Sequence, residues 1–498
     1  MTRVLRNLRG GQWVEVGGGS AVDVTDPATG ERLAVHPLSD VDEVDRVVAS
    51  SAEAFWGWRM TPVPERAALL FRFRHLLSAA TEELATIITE ENGKTLAEAR
   101  GELMRAIQYV EHAAAAPELM KGSVSENISR AVDIEYFREP LGPFVVIAPF
   151  NFPAMIPLYF AWTVATGNTV ILKPSELCPL TAIRMIELAM EAGFPPGVIN
   201  VALGDATAVE RLCTHPDVVG VTFVGSSHVA ERVHGLATAH GKRAQAQGGA
   251  KNHLVVTGSA VLDKVLPNIV SSMYGNASQR CFAGSNLLVM RPVYERFLER
   301  LIAEVDGLVM GHGKDPAVTL GPVITARSRD VFIDAVDRAE SEGARVVLDG
   351  RGATVADLPQ GNWLGPTLVE ASPEQAIWRE ELFGPVRGIA PIDELDEAID
   401  IINSSDFGHT AVLYTEHGGL ARAFRQRVLT GQVGINVGTP APIAFYPVGG
   451  RRASFYGDLR GRANDAVDFY TDKKVVVSTW HGDTTQETGI DPTFEGKV

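Results

Sequence analysis

Cysteine is scarce in this chain: Cys178, Cys213 and Cys281 are the only three in 498 residues. An odd number spread so thinly excludes a disulfide framework and fits reduced thiols in a cytoplasm. Positive charge is also in short supply. Lys and Arg total 45 against 61 Asp and Glu, a formal net charge of -16, which argues against a nucleic-acid or anionic-membrane partner. Long apolar runs are missing too. The most hydrophobic region, 143–172, is cut by Pro149, Asn151, Pro153 and Pro157, so a membrane-spanning helix is not expected. The opening MTRVLRNLRGGQWVEV has no apolar core of the signal-peptide type. What is present, 45% hydrophobic and 21% charged residues, is an ordinary globular composition with length for two or three domains.

Along the chain the hydrophobic period changes. Residues 1 to about 37 read as short strands and turns. From Asp40 to about Ala115 apolar residues recur every three or four positions, as in ERAALLFRFRHLLSAATEELATIITE, which predicts helices. PFVVIAPF, NTVILKP, VINVALG and VVGVTFVG then alternate with the helical stretches AMIPLYFAWTVA, LTAIRMIELAMEAG and DATAVERLC. Fully apolar strands between helices predict a parallel sheet covered on both faces. A second alternating set runs from HLVVTG through NLLVMR, RVVLDG, a helix near 394–403, AVLYT and VGINVG. RAVDIEYFREP alternates like a hairpin strand, and DFYTDKKVVVSTW reads as an exposed strand in want of a partner. The last residues form no periodic pattern and are expected to be a loose tail.

Two segments sit where a strand hands over to a helix. FVGSSHVA offers a helix N-terminus able to hold a phosphate, although the full G-x-G-x-x-G fingerprint is absent and a simple helix cap explains it as well. Lys173 and Glu176 follow the strand NTVIL, at the edge where open parallel sheets bind ligands. A carboxylate there can accept hydrogen bonds from ribose hydroxyls and would repel a 2′-phosphate, which favours NAD over NADP; a surface ion pair is the plain alternative. Of the cysteines, Cys213 is in phase with Ala208, Val209 and Leu212 and reads as core, while Cys178 precedes a proline that opens a helix. Cys281 follows the loop-like NASQR, and Arg280 beside it could favour a thiolate. The residues alone leave its catalytic role open.

Together, PFNFP (149–153), LKPSE (172–176), FVGSSHVA (223–230), GGAKNH (248–253), NASQRC (276–281) and EELFGPV (380–386) resemble the aldehyde dehydrogenase superfamily over nearly the whole chain. Within it the chain is most similar to the CoA-acylating, methylmalonate-semialdehyde dehydrogenase branch, on PFNFPAMIPLYF, GGAKNH, QRCFAGS and SFYGDLRGRANDAVDFYTDKK, with VGTPAPIAFYPVGGRRAS matching only loosely. The resemblance implies an α/β fold: a Rossmann-type NAD-binding domain (1–120 and 141–249), an α/β catalytic domain (250–450), a small β oligomerisation arm with the C-terminal segment (121–140 and 451–482) and a tail (483–498). It implies a cytoplasmic dimer or tetramer acting on a small aldehyde, with NAD as cofactor and coenzyme A as co-substrate, and no metal.

The resemblance also implies roles. Cys281 is the nucleophile, and Asn151 with the Cys281 backbone N–H is the oxyanion hole. Phe150, Lys173, Glu176, Gly225, Ser226, Glu381 and Phe383 bind the cofactor; Arg105 and Arg280 handle the substrate, as an arginine fork suits a carboxylate. Hydrolytic members carry a glutamate four residues before the lysine that matches Lys251, and here that position is Gln247. An amide cannot take a proton from water at neutral pH, so Gln247 favours CoA as acyl acceptor. Asp458 is another candidate base. Arg451, Arg452, Arg460 and Arg462 form a basic cluster that could meet a CoA phosphate, although structural or intersubunit ion pairs are the simpler expectation. The rivals are a hydrolytic dehydrogenase releasing a free acid, a non-catalytic NAD-binding protein of the same fold, and a cofactor-free cysteine hydrolase using His228 or His253.

Overall fold

The computed structural model describes residues 2–17 and 19–480. The expected tail at 483–498, and the last two residues of the 451–482 segment, lie outside the described residues.

The apolar runs form two large sheets. The first has the order Phe455–Tyr456, Arg243–Gln247, Gly220–Val224, Pro143–Ile147, Thr169–Lys173, Ile199–Val201, Asn7–Arg9, Gln12–Val14; its middle five strands are parallel and its flanking pairings antiparallel. Successive side chains on a strand point to opposite faces, and both faces are covered. Val145, Ile147 and Ile171 pack with Val44, Val47 and Val48 of helix Val41–Trp58; Phe144, Val146 and Leu172 pack with Phe73, Leu103 and Phe160 from three helices on the other side. The second sheet runs Arg345–Leu348, Thr367–Glu370, Val386–Ile392, Gly284–Met290, Asn252–Val256, Thr410–Tyr414, Gln432–Ile435, parallel except at its first pairing. It too is buried on both faces, with Leu254 and Leu287 on one side and Val255 and Leu288 on the other.

A third, antiparallel sheet stands apart: Thr471–Thr479 pairs along its length with Val132–Pro140, which pairs with Ser123–Ser129. Val124, Ile128, Phe137, Val475 and Val477 on it are exposed. The strand begins at Thr471, three residues into the alternating stretch. Phe469 and Tyr470 end the helix Ala463–Tyr470, because their rings are needed against Phe144 in the first core, Tyr470 at 4.8 Å. The stretch AMIPLYFAWTVA is likewise not one helix: a 3₁₀ turn, Pro157–Tyr159, leads into Phe160–Ala165. Among the described residues no helix is long and apolar enough to cross a membrane, and no cluster of ligating side chains could hold a metal.

Candidate active site

Strands Pro143–Ile147, Thr169–Lys173 and Gly220–Val224 all deliver their C-terminal ends to one cleft of about 560 Å³. Phe150, Asn151, Lys173, Glu176, Gly225, Ser226, Cys281, Glu381 and Phe383 line it together. Lys173 is buried and ion-paired with the half-exposed Glu176; burial lowers the ammonium's pKa, and the carboxylate opposes that. Helix Ser227–Ala239 points its N-terminus into the cleft, and no side chain caps it. Ser227 Oγ instead accepts the Gly249 N–H at 2.9 Å and donates to the Ala453 carbonyl at 2.5 Å, pinning the neighbouring turn. Val229, Val233, Leu236 and Val209 make an apolar wall beyond it.

At the inner end Glu381 accepts the Ala250 N–H at 2.8 Å. A Cβ on Gly249 would lie 2.0 Å from Glu381 Oε2, so only glycine admits the carboxylate there. Burial pushes the Glu381 carboxyl up to about 7. Phe383 meets Phe150 edge to face at 6.0 Å. An uncapped helix end for a pyrophosphate, carboxylates at both ends for ribose hydroxyls and apolar walls for flat rings fit an extended dinucleotide.

The loop that carries Cys281 is strained. Asn276, Ala277 and Ser278 hold φ of 53°, 46° and 64° within a short 3₁₀ turn, not a free loop, a conformation that side chains other than glycine keep only when the surroundings impose it. The imposing group is Arg387, a buried guanidinium that donates from Nε to the Met273 carbonyl at 2.9 Å and from Nη2 to the Ser278 carbonyl at 3.3 Å. Asn252 Nδ2 donates to the carbonyls of Cys281 and Ala283, both at 2.8 Å, and ties the loop to the start of the next strand. Cys281 itself is half-buried, whereas Cys178 and Cys213 are fully buried. Burial pushes its thiol up to about 11, and the charge of Arg462 is the largest influence pulling it back.

Asn151 Nδ2 donates to the Gln279 carbonyl at 3.1 Å, which leaves its second N–H free beside the cysteine loop. The turn carrying it is held by a buried ion pair that no motif marks. Lys94 Nζ lies 2.6 Å from Glu102 and donates to the Asn151 carbonyl at 2.9 Å; Glu102 accepts the N–H groups of Ala154 and Met155 at 2.8 and 3.1 Å.

Arg280, expected to favour the thiolate, turns the other way and pairs with Glu98 at 2.8 Å, because adjacent side chains diverge at the turn. The charge that lowers the Cys281 pKa is that of Arg462, one of the basic cluster expected to make structural or intersubunit ion pairs; it is buried and makes no ion pair among the described residues. Arg105 is half-exposed on helix Leu96–Ala113 and does not line the cleft. Gln247 ends strand Arg243–Gln247 with its Nε2 buried and unpartnered. Asp458 is exposed and borders a separate hollow with Arg138 and Arg243, away from the cysteine cleft. His253 is buried in a sheet, bonded to Asn286 at 3.3 Å and lowered by burial to about 3, so it stays neutral.

Fold and cleft together define a class: a two-sheet α/β protein whose dinucleotide-sized cleft is closed at one end by a cysteine. The model of the aldehyde dehydrogenase family matches residues 13–476, and the chain belongs to this family. Its relatives include the malonate-semialdehyde dehydrogenase of Halalkalibacterium halodurans, 45% identical over 96% of this chain and 98% of that protein. Among solved structures, the methylmalonate-semialdehyde dehydrogenase of Oceanimonas doudoroffii is 36% identical with a TM-score of 0.95, over 97% of this chain and 99% of that one. A Sinorhizobium meliloti protein assigned to the same activity, solved with NAD, is 34% identical with the same TM-score and coverage.

Proposed function

We propose that this chain oxidises a short semialdehyde, malonate or methylmalonate semialdehyde, with NAD, and transfers the acyl group to coenzyme A. The observation that carries the reading is the single cleft in which Cys281, Asn151, Glu381 and the Lys173–Glu176 pair meet; the relatives' names support the substrate class.

In this reading the Cys281 thiolate attacks the aldehyde carbon. The carbonyl oxygen takes up the negative charge and is met by the free N–H of Asn151 and the backbone N–H of Cys281, the former stabilising the transition state by about 3 kcal/mol. NAD supplies the acceptor for the hydride that leaves carbon as the adduct becomes a thioester. Glu381 and Phe383 hold the nicotinamide end, Gly225 and Ser226 the pyrophosphate, and Lys173 and Glu176 the adenosine ribose, with Phe150 against the ring-binding wall. The CoA thiol then attacks the thioester and Cys281 leaves as thiolate. The malonyl or methylmalonyl thioester loses CO2, and its enolate takes up a proton to give acetyl-CoA or propionyl-CoA.

Gln247 at the position of a water-activating base supports CoA over water. One observation favours hydrolysis instead: Glu381, poised at about 7, lines the same cleft as Cys281 and could take a proton from water. The three-stranded sheet with its exposed Val475, Val477 and Phe137 is read as the arm of a cytoplasmic dimer or tetramer. The deciding experiment supplies malonate semialdehyde and NAD with and without CoA. Sustained NADH formation that needs CoA, with acetyl-CoA as product, is expected; undiminished turnover without CoA, with free acid as sole product, contradicts the acyl-transfer claim.

A further inference from the structure

Helix Leu96–Ala113 opens on a capping box. Thr95 Oγ1 accepts the Glu98 N–H at 3.3 Å, and Glu98 Oε2 accepts the Thr95 N–H at 3.0 Å. The cap uses one carboxylate oxygen. The other, Glu98 Oε1, reaches out of the helix and accepts the Asn276 N–H at 2.6 Å and Arg280 Nη2 at 2.8 Å. Those two residues bracket the left-handed turn that leads into Cys281, with Asn276 at φ 53°. Arg387 binds the carbonyls of Met273 and Ser278. The turn is therefore gripped through its carbonyls by one side chain and through an N–H by another.

Glu102 lies four residues on, over the same face of the helix. It serves the other half of the site: it accepts the N–H groups of Ala154 and Met155 and pairs with Lys94, which donates to the Asn151 carbonyl. Asn92, just before the helix, donates from Nδ2 to the Phe150 carbonyl at 3.1 Å. The circuit closes at Gln279, whose carbonyl accepts Asn151 Nδ2 at 3.1 Å and Asn276 Nδ2 at 3.3 Å. Contacts thus run from Glu98 to Asn276, Gln279, Asn151 and Lys94, and back to the helix at Glu102. Two carboxylates four residues apart weaken a helix, and burying Glu102 adds to that cost. Helix stability alone does not call for this pair.

We infer that Glu98, Glu102 and Lys94 are positioning residues for the reaction: this end of the helix sets the distance and angle between the Cys281 thiol and the free N–H of Asn151. The inference rests on the roles proposed above for Cys281 and Asn151. None of the three lines the cleft; they act through the two residues that do. An oxyanion donor stabilises the transition state only when it sits about 3 Å from the oxygen, and a misplacement of about 1 Å costs on the order of 100-fold. Thiol and amide stand on separate segments, one after each large sheet's strands. A strut that bonds to both holds them to that tolerance.

The test measures two rates on Glu98→Gln and on the double variant Lys94→Met with Glu102→Gln, which leaves neither charge buried alone, each with and without Asn151→Ala. One is the single-turnover rate of NADH formation from malonate semialdehyde and NAD. The other is alkylation of Cys281 by iodoacetamide at fixed pH, a displacement that needs the thiol but no oxyanion donor. Both variants are expected to slow NADH formation about tenfold or more, with alkylation and NAD affinity within about twofold of wild type. In the Asn151→Ala background neither should cost more than about a further twofold, since no amide is left to place. An unchanged rate of NADH formation, alkylation that falls in step with it, or full losses on top of Asn151→Ala overturn the inference. Glu98→Gln decides the matter if the double variant does not fold. An Asn151→Ala enzyme as fast as wild type would instead contradict the oxyanion reading itself.

Discussion

On the cofactor side of Cys281 the cleft walls come from strand ends and the turns that follow them: Lys173 and Glu176 after one strand, Gly225 and Ser226 after another. The thiol itself stands on a strained turn braced from two other strands, by the Arg387 guanidinium and the Asn252 amide. The first side is a surface made by topology, since parallel strands must end together. The second is an assembly of distant pieces, each ordinary alone, joined through buried polar side chains. The difference teaches that dinucleotide binding can be built into a sheet edge, whereas a reacting thiol is placed by buried contacts between segments far apart in the sequence.

The two sides can be pulled apart experimentally. The largest effect is expected at the hinge between them: Asn151→Ala should lower kcat about 100-fold or more while leaving NAD binding near normal, as measured by steady-state kinetics beside a cofactor titration. A parallel collapse of NAD affinity would place Asn151 in the cofactor side instead. Next comes the thiol. Burial disfavours the thiolate and raises the Cys281 pKa to about 11, so below that pH the reactive fraction grows with pH. Alkylation of Cys281 by iodoacetamide should accelerate roughly tenfold per pH unit between about 7 and 9; a flat profile would mean the thiolate is already formed. The smallest effect is on the cofactor side alone. Glu176→Gln removes the charge that would repel a 2′-phosphate, and should raise kcat/KM with NADP by about tenfold or less, with the semialdehyde KM unmoved.

Much of this was legible in the sequence, for local reasons. Apolar runs closed by turn residues marked both parallel sheets, and the strand-end segments gave Lys173, Glu176, Gly225 and Ser226, because handing a strand to a helix is settled within a few residues. Family resemblance supplied Cys281, Asn151, Glu381 and Phe383, and the structure gathers all of them in one cleft. What escaped was everything that depends on long-range burial. Lys94 and Glu102, which no motif marks, are a buried pair holding the Asn151 turn. Arg280 was given influence over the thiol by adjacency alone, and the turn sends it to Glu98. Arg462 was one member of a basic cluster expected to make structural or intersubunit ion pairs, yet it is buried with none among the described residues. It is flanked by a left-handed Ala463, with φ 59°, and by Gly461, where a Cβ would come within 3.3 Å of Tyr159.

The central claim is that Cys281 carries the acyl group and that CoA removes it. Its most direct test is mass analysis of the intact protein and of its Cys281 peptide after mixing with malonate semialdehyde and NAD in the absence of CoA, with Cys281→Ser as control. An acyl increment on Cys281 that forms with about one equivalent of NADH, persists, and disappears on adding CoA is the predicted result. No increment on the Cys281 peptide, or one that clears as fast without CoA as with it, would contradict the account.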